Sequence, residues 1–324
     1  MMGFVKRLGC AALAMLAGAA VQAQDLPQIR AATLEIGTVN WELETIRARG
    51  LDKAHGFELV LQPYASNDAT RIAAEGGEAD MFVADWIWVA RQRAAGHDWV
   101  VIPYSTAVGG LVVPGDSPVA GLADMEGRKI GIAGGPLDKS WLILRAYARS
   151  EYGLDLATAT EQVYGAPPLI AKAAASGEVD GAINFWHFLA KMKAGGMREV
   201  ISVAEAATAL GLDPNTPLLG YVMGEGFLEA HPGLGRALYA ASRDAKEILA
   251  TDDSAWEEIR PMMNAADEAQ FEALRADFRA GIPQPGPVDE AAADRLLALM
   301  AELGGPDLVG QATSLPEGLF LQVE

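Results

Sequence analysis

The chain has 324 residues, with 25 lysines and arginines against 43 acidic residues and a formal charge of −18 at pH 7. Acidity on this scale excludes nucleic acid as a natural partner and fits a well-solvated protein. Its single cysteine, Cys10, excludes a disulfide framework, so stability must come from a large apolar core, which a chain of this length can build.

Lys6 and Arg7 precede the apolar run LGCAALAMLAGAAV, and Val21, Gln22 and Ala23 form a cleavage site, so residues 1–23 read as a secretory signal peptide. The run is shorter than the roughly 20 apolar residues of a membrane anchor. Arg7 stands where a lipidation motif at Cys10 needs an aliphatic residue. The exported chain is expected to begin near Gln24, without cysteine.

Periodicity then predicts alternating strands and helices. A strand at 29–36 leads to an amphipathic helix at 41–54, a strand at 57–64, a helix at 68–76, a strand at 79–84, a helix at 86–95 and a strand at 99–104. TAVGGLVVP (106–114) reads as a crossing segment. A second round follows: strand 129–133, helix 140–152, strand 161–164, helix 168–176, strand 179–183, helix 186–194 and strand 198–203. TPLLGYVM (216–223) resembles the first crossing and returns the chain. Residues 226–302 read as mostly helical, broken by Pro232, Pro261 and PQPGP at 283–287.

The two rounds are related at the level of residues. EGGEADMFVADWIWVA at 75–90 aligns with ASGEVDGAINFWHFLA at 175–190, pairing Gly77 with Gly177, Glu78 with Glu178, Asp80 with Asp180 and Trp86 with Trp186. The same offset of one hundred pairs Trp41 with Trp141. The expectation is an α/β protein of two Rossmann-like lobes joined by two hinge crossings. Lobe one takes 24–110 and 220–324, lobe two 111–219, and hinge closure traps a ligand between them. Open α/β sheets bind ligands outside the carboxyl ends of their strands, where these tryptophans fall. Asp80 and Asp180 read as strand-entry residues, duplicated with the strand.

IGTVNW (36–41), GEAD leading into ADWIW (77–88), DMEGRKIGIAGG (124–135) and GEVDGAINFW (177–186) resemble the periplasmic substrate-binding proteins of the taurine, sulfonate and nitrate class of ABC importers, the SsuA/THI5-like class. The most specific stretch is Leu122, Asp124, Met125, Gly127, Lys129, Ile130 and Gly131. The resemblance implies a type II periplasmic-binding-protein fold, a location in the periplasm, delivery of a small molecule to an inner-membrane permease, and no catalytic role. Fold alone does not name the ligand.

The richest candidate site is IAGGPLDKSW (132–141). Gly134 and Gly135 allow close backbone approach, Asp138 or Ser140 can cap the helix at Trp141, and helix N-terminal amides suit an anion. Lys139 offers a cation able to pair with an acid group or attack a carbonyl. Glu42 and Glu44 oppose an anion at the first junction, which points the anionic end toward lobe two. Trp41, Trp86, Trp141 and Trp186 are expected to form a flat clamp. Asp85, facing Phe185 in the repeat, can accept from a ligand or cap its helix. Thr38 and Asn40 supply the polar edge of the first junction, with Asn40 as N-cap, and Asn184 that of the second. No cofactor is required, although the ligand can itself be one: a planar polyacid such as pyrroloquinoline quinone fits flat indoles, amides and Lys139. Taurine, alkyl sulfonates or nitrate are the alternative ligands, and a secreted enzyme or sensor the alternative function. His55, His97, His187 and His231 are dispersed, phosphate-loop, serine-elbow and zinc-protease motifs are absent, and so is the cysteine-rich motif of a THI5-like precursor synthase. A monomer is expected.

Overall fold

The computed structural model describes residues 26–323, so the signal-peptide expectation for 1–23 lies outside the described residues. The first round comprises β1 (Gln28–Leu34), α1 (Val39–Ala48), α2 (Leu51–Ala54), β2 (Glu58–Tyr64), α3 (Asn67–Glu75), β3 (Met81–Asp85), α4 (Trp86–Ala94) and β4 (Trp99–Ser105). The expected helix at 41–54 is two helices because Gly50 adopts a left-handed conformation, φ +66°, between them. The second round comprises β5 (Gly110–Pro114), β6 (Lys129–Ala133), α5 (Lys139–Tyr152), α6 (Leu156–Ala159), β7 (Glu161–Gly165), α7 (Pro167–Ala175), β8 (Gly181–Asn184), α8 (Trp186–Ala194), β9 (Met197–Ser202) and α9 (Val203–Ala209). The return comprises β10 (Leu219–Gly224), α10 (Glu225–Ala230), α11 (Leu234–Thr251), α12 (Asp253–Ile259), α13 (Glu268–Ala280) and α14 (Glu290–Val309). Among the described residues no helix is long and apolar enough to cross a membrane.

Two five-stranded mixed sheets organise the two lobes, in the orders β2-β1-β3-β10-β4 and β7-β6-β8-β5-β9. Both predicted crossing segments end as strands of the sheet they enter. β5 lies antiparallel between β8 and β9, and β10 lies antiparallel between β3 and β4. Each lobe therefore builds its sheet around one strand delivered by a crossing, which ties the crossings into both cores. Gly109 sits at the first crossing because a Cβ there would collide with the Asn184 carbonyl.

The internal repeat has a structural cause. Gly77 and Gly177 both turn the chain with left-handed φ, +72° and +75°. Asp80 accepts from the Arg30 amide at 2.8 Å and Asp180 from the Lys129 amide at 2.8 Å. Each aspartate thus fastens the start of a central strand to its parallel neighbour, satisfying an amide the ladder leaves open.

The helices after β10 have no counterpart in the repeat. One apolar cluster joins Trp41 of α1, Trp186 of α8, Trp256 of α12, and Phe271 and Phe278 of α13, and so packs side chains of both lobes together on one side of the crevice. Another sets Trp86 and Phe82 of the first round with Trp141 and Leu144 of the second beneath α14. Beside the first cluster lies a fully enclosed polar network. Glu42 receives bonds from the Tyr221 hydroxyl at 2.7 Å, the Ser242 hydroxyl at 2.6 Å and the Lys246 ammonium. Every member is satisfied, which a buried ion pair requires.

Candidate functional site

A cavity of about 640 Å³ opens between the lobes, within the range of small-molecule sites. It lies where the carboxyl ends of the parallel strands meet helix starts: Thr38 and Val39 of α1, Asn67 and Arg71 of α3, Asp85 before α4, Lys139 and Ser140 of α5, Pro167 of α7, and Trp186 and His187 of α8 all border it.

These helix starts differ in what they can offer. Ser66 caps α3, Asp85 caps α4 and Asp138 caps α5, each accepting from an amide of the first turn. α7 begins with two prolines, which carry no N–H. α1 and α8 have no side-chain cap. The Asn40 and Trp41 amides of α1 turn back on the Gly37 and Thr38 carbonyls, and the Phe188 amide of α8 on that of Phe185. This leaves the Val39 amide of the one, the Trp186 and His187 amides of the other, and the partial positive charge of both helix starts for a ligand, from each lobe in turn. Glu42 does not oppose an anion at α1, because it turns into the core and pairs with Lys246. Glu44 pairs with Arg47 on the outer surface. The expectation that only lobe two can take the anionic end is corrected accordingly.

Of the residues singled out from sequence, Thr38, Trp41, Asp85, Lys139, Ser140 and Trp186 border the cavity. Thr38 is the N-cap position of α1 without making a side-chain cap, and Tyr104 is another wall residue. Lys139 donates to Asp85 at 3.0 Å, an ion pair that runs from lobe two to lobe one with both side chains largely shielded. Asp85 therefore uses one oxygen as a cap and the other as a partner for Lys139. A lysine engaged by a carboxylate in this way has no free ammonium turned to a ligand, which counts against the nucleophilic reading.

The remaining candidates are corrected. Asn40 is not the cap: it folds back to donate to the Leu34 carbonyl at 2.8 Å. Gly134 uses its amide on the Gly165 carbonyl, Gly135 accepts from the Asp138 amide in a turn, and neither borders the cavity. Asn184 is spent on the Pro167 carbonyl and the Phe185 amide. Trp86 and Trp141 are buried in the core, at 0% and 1% exposure. Trp41 and Trp186 meet edge to face, 5.8 Å apart at 86°, and Trp41 also packs on Trp256 and Phe278. No flat slot lies between parallel indoles, so the stacking argument for pyrroloquinoline quinone falls away.

Three cavity residues escaped the sequence reading. Arg71 lies over the Trp88 ring at 4.3 Å, a cation–π contact that holds the guanidinium. Among the described residues the exposed Asp68, at 3.5 Å, is the one acidic group within ion-pair distance of it, and its Nε is buried with no partner. His187 is lowered to about 4 by burial and by Lys191, so it is neutral at pH 7, and its Nδ1 is also buried and unpartnered. Lys191, one helical turn on, is lowered by burial. Asp138 is raised to about 6, chiefly by burial, against the pull of its backbone bonds and of Lys139. The repeat held a signal for two of these: Arg71 faces Ala171 and His187 faces Ile87.

The fold and the cavity together define the two-lobed architecture of periplasmic binding proteins. The chain belongs to the NMT1/THI5 like family, whose model matches residues 47–254. Among solved structures, it is similar to the periplasmic aliphatic sulphonate binding protein SsuA from Escherichia coli, with a TM-score of 0.73 and 18% identity over 92% of this chain and 94% of that one. The alkanesulfonate-binding protein SsuA from Xanthomonas axonopodis pv. citri, bound to MOPS, gives a TM-score of 0.66 and 17% identity over 93% and 100%. The desulfurization enzyme DSZB gives 0.57 and 17% over 90% and 97%. At these identities the likeness is one of fold. No curated protein matches the chain by sequence.

Proposed function

We propose that this chain is the solute-binding component of an ABC importer, a periplasmic monomer that holds a small organic anion of the sulfonate type and passes it to an inner-membrane permease. The reading rests on one observation: the uncapped N-termini of α1 and α8 and the Arg71 guanidinium converge on one cavity between the lobes. A protein of formal charge −18 has thus gathered three cations against two carboxylates around this cavity. Its apolar walls, Trp41, Trp186, Phe188 and Met262 among them, suit an organic tail better than bare nitrate. The sulfonates named for the two SsuA structures agree with this choice. In this reading residues 1–23 are the leader, and the lobes divide near 110 and 219.

Titration calorimetry in sulfonate-free buffer, with butanesulfonate, MOPS, taurine, nitrate and pyrroloquinoline quinone, tests it. At least one organic sulfonate should bind with one-to-one stoichiometry, and Arg71→Met should weaken it about ten- to a hundredfold, the range of a lost charge-assisted contact. Binding by none of the sulfonates, or an unaffected Arg71→Met, overturns the reading. Chemical change of a bound sulfonate, seen by mass spectrometry, would move the chain to the enzymes of this fold.

A further inference from the structure

We propose that the ligand carries two separate anionic groups, one received by Arg71 on the first lobe and the other by Lys191 on the second. This deepens the importer reading and rests on it.

Lys191 carries the argument. It borders the cavity, and among the described residues no acidic group lies within ion-pair distance of it. Lys193, two residues on along the same helix, has Asp277 at 3.0 Å and Glu199 at 3.4 Å. The Lys191 ammonium is held instead by a neutral acceptor, the Asn264 carbonyl at 2.7 Å. Asn264 is the one non-glycine with left-handed φ among the described residues, +51°, a conformation asparagine tolerates better than most residues. The loop between α12 and α13 thus fixes the lysine without neutralising it. Burial disfavours its charge, a cost that an anion arriving in the cavity would relieve.

The charge balance fits two groups. Lys139 and Asp85 cancel one another. Arg71, Lys191 and about half a charge at each uncapped N-terminus face only Asp138 among the carboxylates that border the cavity, leaving roughly two positive charges. A single sulfonate would leave one of these two cations unanswered, and a zwitterion would bring an ammonium toward Arg71 or Lys191.

The test compares 4-sulfobenzoate with 4-carbamoylbenzenesulfonate, which has the same shape and one charge fewer. By calorimetry, 4-sulfobenzoate should bind at least about tenfold tighter, and Lys191→Met should bring that ratio close to one, whereas Lys191→Arg should retain it. Thermal unfolding of each variant identifies any that is misfolded, and the wild-type ratio stands without them. Equal affinities for the two compounds, or a ratio that survives in a folded Lys191→Met, overturn this proposal and leave the importer reading intact. If neither compound nor any alkyl sulfonate binds, the importer reading fails and this proposal fails with it.

Discussion

Asp138 caps α5 through the Trp141 amide at 3.0 Å, while crowding by the protein raises its carboxyl from 3.8 to about 6. Asparagine at this position keeps a competent cap and removes the titrating group. A raised carboxyl means that the folded state holds the proton more tightly than the unfolded chain. The linked stabilisation is complete below pH 3.8 and is lost as the pH rises through 6. At 1.36 kcal/mol per pH unit, the gap is worth about 3 kcal/mol. Because the side chain borders the solvent-reachable cavity, that figure is a ceiling, and about 1–2 kcal/mol is the working expectation. Asp138→Asn should therefore exceed the parent in stability by that amount at pH 8, with the difference shrinking toward zero near pH 4. His187 has the opposite linkage: its stabilisation is present above 6.5 and lost as the pH falls through about 4. In the parent the two slopes oppose each other across this window, and above the range where the lowered carboxylates Asp124, Asp155, Glu205 and Asp252 titrate the variant should expose the histidine's slope. Urea unfolding followed by tryptophan fluorescence from pH 4 to 8 measures both. An offset that does not change with pH, or a variant less stable at pH 8, refutes the reasoning.

Lys139→Met removes the ion pair that joins the lobes, so small-angle scattering of the unliganded variant should give a larger radius of gyration; an unchanged profile would mean that the apolar cluster around Trp41 and Trp186 holds the lobes together without it. Glu42→Ala strands the Lys246 ammonium in the core and should cost about 3–5 kcal/mol. The double variant Glu42→Leu with Lys246→Met should recover most of that in thermal unfolding, and a loss as large as the single variant's would show that the network matters for more than charge.

The alternation of strands and helices, the two lobes and the crossings were legible because their signals are local: apolar period, glycine at turns and duplicated strand entries. Strand limits at the crossings were not. Gly110–Pro114 and Leu219–Gly224 read as connections because their pairing partners lie far away in sequence, on β8 and β9 or β3 and β4. The network of Glu42, Tyr221, Ser242 and Lys246 was hidden for the same reason. Glu42 alone looks like a surface acid opposing an anion, and only the packing of α11 against α1 makes it an inward ion pair.

The repeat misled about the tryptophans and held the better clue elsewhere. Identity between the halves marks what both sheets need, as with Asp80 and Asp180. Which indole of each pair reaches the cavity depends on α12 and α13, which the repeat lacks: Trp41 and Trp186 meet that added layer, while Trp86 and Trp141 stay beneath α14. Positions where the halves differ, Arg71 against Ala171, Asp85 against Phe185 and His187 against Ile87, supply part of the cavity's polarity, beside Asp138, Lys139 and Lys191. A symmetrising variant makes this testable. Arg71→Ala with His187→Ile gives each position its counterpart's residue, and should abolish anion binding in calorimetry with only a small change in melting temperature. Asp80→Ala breaks a symmetric position, leaves the Arg30 amide and guanidinium without their acceptor, and should lower stability by about 1–3 kcal/mol while ligand affinity is kept. If the symmetrised protein still binds and Asp80→Ala does not, the division between shared scaffold and divergent site is wrong, and the ligand is held by Lys191 and the backbone of the helix starts.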